Sequence, residues 1–427
     1  MLFIKDYSKI INKPPIYQIN LLKPTDQVYL SISYKAGYIF QNKSNSLAHI
    51  LEHYLTTILV NQGIRNISAL TSSEFIDFYF NLSRKEFLKY FEIILKTFYD
   101  LNTSHLDILE REKKNVYNEI TEKCNDFKVR QRYLIDRELL SEDCFYISKL
   151  SFFQSDLISK VTLNDLTEFY KTYIQSSIPI MCLGGYRISK NEIQNLHKLI
   201  SKFDWDKIQN QDISYFPYCS FRSNVVKVIK DTSLINGFYL ILGFPILNAD
   251  KMSIIQRKTV RILLEDIHSH SSQYSLNANL RRAGVYKSDI DIYFYQSFGY
   301  FFYTIFGNYG QESTIVEIFK QTIEFWKNSE ILVPIISESI RDVVSRRKKQ
   351  NNEDRFYKFS DILTEGDIPL NDNLYIKKLK SLSSNFWQNL IETLFNWNKM
   401  SILIIHNGSQ HLNLEEIANI FSLESGK

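Results

Sequence analysis

Glycine and proline are scarce in this sequence. Its 427 residues include 13 glycines and 8 prolines, roughly 5% of the chain, where about 12% is usual. A glycine-rich loop that cradles nucleotide phosphates therefore has little material from which to form. No run of 18 apolar residues is present, so we expect no membrane-spanning helix. The net charge is only +4, and this balance does not predict a nucleic-acid partner.

Cysteine is also rare, and the four residues Cys124, Cys144, Cys182 and Cys219 include no C-x-x-C pair. We expect them to be reduced, small hydrophobic residues rather than a metal site or a disulfide framework. The first residues carry an acid, Asp6, and no long apolar stretch, so no secretory signal or transit peptide is predicted. These features together predict a cytoplasmic location.

Hydrophobic residues, by contrast, make up 44% of the chain and aromatic residues 14%, enough for sizeable cores. The predicted elements repeat in order: strands, a long helix, an aromatic strand, further helices and a closing strand. Between the two halves lies a polar, broken stretch at 204–222. We therefore predict an α+β protein with an N-terminal domain 1–203, a linker 204–222 and a similar C-terminal domain 223–427.

The segment His49-Ile50-Leu51-Glu52-His53 carries the strongest chemical signal. Two histidines at i and i+4 of a helix lie on one face, so both imidazoles can reach one cation. This H-x-x-E-H pattern is the inverted zincin motif, in which the glutamate acts as a general base. The alternative is a pair of hydrogen-bonded core histidines without a metal.

A third protein ligand is expected from the helix that contains Glu112 and Glu119. The two carboxylates are two helical turns apart and share an apolar stripe with Val116. Acids on such a stripe are costly unless they meet a cation. We predict Glu119 as the third metal ligand and Glu112 as an acid that orients a ligand from behind. An ordinary salt bridge on the helix surface is the alternative for Glu112.

The segment Leu47–His53, preceded by Ala36-Gly37, resembles the insulinase/pitrilysin family of zinc metallopeptidases, especially its short, single-half, processing-peptidase-like members. The family's H-x-x-E-H is followed by E-x6-E, which Glu112 and Glu119 match, although the gap before this pair is shorter here. The resemblance implies Zn²⁺ held by His49, His53 and Glu119, with Glu52 as general base. It also implies two homologous α+β domains, each an antiparallel-rich mixed sheet with helices on one side, as in processing peptidases and LuxS-like metalloenzymes.

Two further segments resemble parts of the family that contact substrate. The stretch beginning at Ser68-Ala69 is similar to the family's N-A-x-T-S segment, the edge strand against which substrate lies, with serine in place of asparagine. The stretch that contains Arg281 and Tyr286 is similar to L-R-x-x-x-G-L-x-Y, although this arginine–tyrosine spacing is shorter. The resemblance implies that Arg281 and Tyr286 clamp substrate; ordinary strand–loop packing is the alternative.

The resemblance implies a zinc-dependent metalloendopeptidase that hydrolyses peptides, including the leader of a peptide precursor. A chain of this length corresponds to half of the family's closed chamber, so a second family subunit, identical or related, is expected as partner. A non-catalytic structural or scaffold subunit of the same family is the alternative function. The N-terminal domain would be catalytic, and the C-terminal domain would bind substrate or serve as structure.

Overall fold

The computed structural model describes residues 4–6, 16–21, 23–41, 46–101, 105–141, 144, 155–203, 205, 219–234, 236–270, 273–295, 298–349, 351–354, 356–357, 360, 377–408 and 417.

The chain forms two compact units. The first consists of Met1–Arg130, Phe145–Tyr215 and Gln350–Asn371, and the second of Gln131–Cys144, Phe216–Lys349 and Asp372–Lys427. The chain therefore passes between the units several times, whereas the bounds read from the sequence assumed one crossing. Most of the linker predicted at 204–222 lies outside the described residues, and the domain bounds and roles stay predictions.

The strands, numbered in chain order, are β1 (Ile4–Asp6), β2 (Ile16–Asn20), β3 (Gln27–Tyr34), β4 (Ile67–Thr71), β5 (Ile76–Ser83), β6 (Ile180–Gly185), β7 (Val226–Lys230), β8 (Phe238–Ile246), β9 (Lys287–Phe294), β10 (Gly299–Gly307) and β11 (Ser401–His406). The α-helices are α1 (Leu47–Asn61), α2 (Phe87–Tyr99), α3 (Leu106–Asn125), α4 (Phe127–Leu139), α5 (Leu163–Tyr170), α6 (Lys190–Ile200), α7 (Ile254–Ser269), α8 (Leu276–Arg282), α9 (Glu312–Trp326), α10 (Ser329–Lys349) and α11 (Ser384–Leu394).

The first unit contains a six-stranded sheet with the order β1-β2-β6-β3-β5-β4. β2 and β6 are parallel, and the other neighbours are antiparallel. Because side chains alternate across a strand, Phe78, Phe80 and Leu82 of β5 all enter one core, which they share with Leu51 and Leu55 of α1. The helices thus cover one face of the sheet, and β4 is its last described strand.

The opposite face of this sheet is contacted by residues from much later in the chain. Phe356 is fully buried there, with its ring centroid 5.7 Å from that of Tyr29. The Ser360 hydroxyl donates a hydrogen bond of 2.7 Å to the Ser31 hydroxyl. Residues of Gln350–Asn371 therefore complete the first unit, although they follow most of the second unit in sequence.

The second unit repeats this plan with a five-stranded sheet of order β7-β11-β8-β10-β9. β7 and β11 are parallel, and the remaining pairs are antiparallel. This order matches β2-β6-β3-β5-β4 strand for strand, in sense as well as position. The predicted fold class, α+β with two similar domains built on antiparallel-rich mixed sheets, is confirmed.

A disulfide joins Cys144 to Cys219 in the second unit, so the prediction that these cysteines are reduced is wrong. The two segments already pair through their backbones, because Arg222 N–H donates to Leu139 O (2.7 Å) and Ser141 N–H to Ser220 O (2.9 Å). Cys124 and Cys182 do not belong to a disulfide between described residues. A separation of 75 residues leaves no local signal from which this pairing could be read.

The described helices include none with both the length and the apolar character needed to cross a membrane. The cytoplasmic location stays a prediction. Because disulfides are typical of oxidising compartments, the Cys144–Cys219 bond argues against it.

Candidate metal centre

Helix α1 presents both histidines of the H-x-x-E-H segment on one side. Ile50, Leu51 and Leu55 are fully buried in the core of the first unit, and this apolar face fixes the rotation of the helix. His49 and His53, one turn apart, are only partly buried. Their Nε2 atoms approach each other to 3.2 Å, so both rings point at the same place.

Helix α3 brings a carboxylate to that place. Val116 and Leu109 are fully buried and anchor α3 in the same core as α1. Glu119 lies on the side that faces α1, and its Oε2 is 3.4 Å from the Nε2 atoms of both His49 and His53. The predicted third ligand therefore meets the predicted pair.

The spacing of these three atoms fits a zinc ion. The triangle of His49 Nε2, His53 Nε2 and Glu119 Oε2 has edges of 3.2, 3.4 and 3.4 Å. Ligand atoms at zinc bond lengths of about 2.05 Å in a tetrahedral array lie about 3.3 Å apart. The donor set of two imidazoles and a carboxylate is one that zinc favours, and it leaves a fourth position open.

Glu112 contacts Nδ1 of His53, the ring nitrogen that does not face His49 and Glu119. Its Oε2 is 3.4 Å from His53 Nδ1, which leaves Nε2 to face the centre. Thr57 Oγ1 (2.9 Å), Arg111 Nε (3.0 Å) and Asn115 Nδ2 (2.8 Å) donate to this carboxylate. Burial raises the pKa of Glu112, but these hydrogen bonds together outweigh it and hold the pKa below its usual value. Glu112 is therefore an ionised, fixed partner for His53.

Glu119 is ionised as well. A hydrogen bond with His49, assisted by an ion pair with Lys123, holds the pKa of Glu119 well below its usual value in spite of partial burial. An ionised carboxylate is the form that binds a metal ion.

Glu52 lies beside the two histidines. Ligand atoms of His49, Glu52 and His53 all lie within 4.8 Å of one another. The Glu52 side chain is buried, and Thr71 Oγ1 donates a hydrogen bond of 2.6 Å to its Oε2. Since Thr71 is the last residue of β4, the edge strand holds one carboxylate oxygen of Glu52 and leaves the other for chemistry.

The predicted substrate contacts lie in two places. Ser68 and Ala69 belong to β4, where Ser68 is exposed and its hydroxyl hydrogen-bonds with Tyr357. Arg281 and Tyr286 belong to the second unit, where both are exposed, Tyr286 to 75%. Their role as a clamp stays a prediction.

Sequence reasoning missed three residues that support the centre: Thr57, Thr71 and Lys123. Thr57 is one turn beyond His53 and Lys123 one turn beyond Glu119, so helical spacing would have indicated both. Thr71 is the threonine of the stretch that resembles N-A-x-T-S, but its contact with Glu52 could not be predicted, because only the fold brings β4 next to Glu52.

Comparison with known proteins finds likeness in structure only. No protein-family model matches the sequence, and no curated protein matches it. Many solved structures are similar, and they include the following three. A protease from Helicobacter pylori matches with 17% identity over 95% of this chain and 99% of its own, at a TM-score of 0.73. A peptidase M16 inactive domain from Pseudomonas fluorescens matches with 11% identity over 96% and 100%, at 0.74. The periplasmic protease PqqL from Escherichia coli matches with 14% identity over 100% of this chain and 50% of its own, at 0.75.

At these identities the likeness establishes the fold. The features that accompany this fold are two similar α+β units, the first with an H-x-x-E-H helix beside an edge strand. The chain has the fold of M16-type peptidases, the pitrilysin- and insulinase-like group, as the resemblance of Leu47–His53 predicted.

Proposed function

We propose that the protein is a zinc-dependent metalloendopeptidase. The observation that carries the proposal is the triangle of 3.2–3.4 Å formed by His49, His53 and Glu119, with Glu52 alongside. Zinc, when bound, supplies Lewis acidity toward a peptide carbonyl and toward water.

The roles of the chain's own residues follow from their contacts. His49, His53 and Glu119 would hold the ion, and Glu112 would keep His53 in the tautomer whose Nε2 faces it. Glu52 would take a proton from the attacking water on its free oxygen and then give that proton to the leaving amine. Thr71 would keep the carboxylate of Glu52 oriented during both transfers.

The proposed substrate is an extended peptide, including the leader of a peptide precursor. β4 is the last described strand of its sheet, so its outer backbone groups could pair with such a peptide by strand addition. Ser68 and Ala69 would make these contacts, next to Glu52. Leu70, exposed to 56%, would add an apolar contact.

We propose that the active form contains a second family subunit, either a copy of this chain or a related one. Support comes from length, because the chain spans only half of PqqL. Arg281 and Tyr286, exposed in the second unit, are the proposed substrate clamp, which the partner would supply if their shorter spacing prevents it here.

A structural or scaffold subunit is the alternative function, because one similar structure is described as an inactive M16 domain. Zinc content distinguishes the two. About one zinc per chain is expected of the peptidase, and none of a scaffold.

The substitution Glu52→Gln tests the proposal. We expect peptide hydrolysis to fall by about 10³-fold, in the range for loss of a general base, while the zinc content by mass spectrometry stays at the wild-type level. Glu122→Gln, which removes an exposed carboxylate of α3, is the control and should remain active. Full activity of Glu52→Gln would rule out the assignment.

A further inference from the structure

Helix α7 occupies in the second unit the place that α1 occupies in the first. α1 follows β3, and α7 follows β8, the equivalent strand; each helix packs against the last strand of its sheet, β4 or β9. Where α1 carries a pair of histidines at i and i+4, α7 carries Arg257 and Arg261.

The two arginines share an aromatic platform. The guanidinium carbon of Arg257 is 5.7 Å and that of Arg261 is 5.3 Å from the ring centroid of Phe294, the last residue of β9. Both arginines and Phe294 are half-buried. Stacking on a ring face leaves the N–H groups at the guanidinium edge free to bind another group.

Most of these N–H groups have no partner within the described part of the chain. Arg257 Nη2 donates to Ala249 O at 3.2 Å, while its Nε is buried without a hydrogen bond. Arg261 makes no hydrogen bond to a described residue, and neither guanidinium forms an ion pair with a described acid.

The arrangement is unfavourable for folding by itself. Arg257 lies at the N-terminal end of α7, four residues after the N-cap Ser253, where the helix dipole disfavours a cation. Like charges at i and i+4 repel, and a buried N–H without an acceptor costs free energy. A single anion bound by both guanidinium groups would offset the repulsion between them and the unfavourable interaction of Arg257 with the helix dipole.

We propose that Arg257, Arg261 and Phe294 form a binding site for a peptide carboxylate. The planar, forked guanidinium matches a carboxylate, and the site adjoins the end of β9. The inference rests on the proposed function in one respect, that the ligand is a peptide. The carboxylate belongs either to the C-terminus of the peptide or to an acidic side chain.

Peptide binding to the full-length Glu52→Gln protein tests the proposal without hydrolysis. The probes are a short fluorescein-labelled Ala/Gln peptide with a free C-terminal carboxylate, the same peptide amidated, and the amidated peptide with one internal Asp. We expect Arg257→Gln/Arg261→Gln to weaken binding of at least one carboxylate peptide by about tenfold, and to leave the amidated peptide unchanged. The peptide that responds identifies the source of the carboxylate.

Lys251→Gln is the matched control, because it removes an exposed positive charge just before α7 and should alter no affinity.

Unchanged binding of both carboxylate peptides by the double variant would overturn the proposal, as would an equal loss for the amidated peptide. If the double variant does not fold, Arg261→Gln alone, which breaks no hydrogen bond, serves in its place. Failure of hydrolysis in wild type would leave this result intact, so the two proposals fail separately.

Discussion

The two units share one sheet plan but carry opposite chemistry at the equivalent place. In the first, α1 and α3 surround a point with two imidazoles and the carboxylate of Glu119. In the second, α7 places Arg257 and Arg261 beside the edge strand. The first is the proposed site for a cation and the second the proposed site for an anion, although strand order and sense agree. The fold therefore supplies positions, and the side chains at those positions decide what each can bind.

The units also differ in what ties their segments together. The second unit has the Cys144–Cys219 disulfide, whereas the described cysteines of the first unit form no disulfide with each other. In the first, Arg84 forms a two-point ion pair with Glu192 (2.6 and 2.7 Å) and binds the Tyr186 carbonyl (2.9 Å). The second unit has charge-assisted hydrogen bonds of this kind as well, such as that from Lys227 Nζ to Glu138 Oε2 (2.5 Å), so the disulfide is an additional tie.

Glu119→Gln should have the largest effect, because it removes the carboxylate that distinguishes the proposed metal centre of the first unit from the arginine pair of the second. Glutamine lacks the negative charge that faces the two imidazoles. Losing a residue that only supports a metal ligand lowers affinity by up to about 100-fold. Losing the proposed ligand Glu119 should therefore lower zinc affinity by at least about 100-fold. Peptide hydrolysis should be lost with it. Zinc titration monitored by mass spectrometry and calorimetry would measure the first effect.

Glu110→Gln is the control on the same helix, since Glu110 is exposed and pairs only with Lys113 among the described residues. Wild-type zinc affinity in Glu119→Gln would mean that the metal, if any, is held by other ligands.

Loss of the disulfide should weaken the second unit more than the first. Disulfides typically contribute about 2–4 kcal/mol, so Cys144→Ser/Cys219→Ser, or reduction of the wild type, should lower stability by roughly that amount. Hydrogen exchange resolved by peptide should show faster exchange in β8 and β10 than in β3 and β5. Cys124→Ser, which removes a partly exposed thiol outside the disulfide, should change neither unit. Uniform loss of protection would show that the units unfold together.

Much of this comparison was predictable from sequence, and the reasons are local. The repeated order of elements predicted two similar units, and i, i+4 spacing predicted that His49 and His53 share a face. Glu119 followed because an acid on an apolar stripe implies a cation. The disulfide and the return of Gln350–Asn371 to the first unit were not predictable, because chain segments far apart in sequence create them. The contact of Thr71 with Glu52 was missed for the same reason.

Thr71→Val tests a difference between the two edge strands. The last residue of β4, Thr71, donates a hydrogen bond to Glu52, whereas the last residue of β9 is Phe294. A hydrogen bond to a charged group contributes about 1.5–3 kcal/mol, or about 10–100-fold. We expect kcat for peptide hydrolysis to fall within that range while KM and zinc content stay near wild type. Thr71→Ser keeps the hydroxyl and should restore most of kcat. A rise in KM alone would indicate that Thr71 holds the peptide rather than the base.

Glu192→Gln should produce the smallest effect and confine it to the first unit. The Arg84 side chain, followed by Ser189, lowers the pKa of Glu192 from 4.5 to about 2. A carboxylate with a lowered pKa contributes stability that is present above about pH 4.5 and is lost as pH falls toward 2. Because Glu192 is partly exposed, we expect about 1 kcal/mol at pH 7; glutamine can still accept the capping hydrogen bond from Ser189. In urea denaturation the difference between wild type and variant should shrink between pH 4.5 and pH 2, while Glu122→Gln shows no such trend. A difference that is constant over this pH range would mean that the ion pair does not stabilise the first unit.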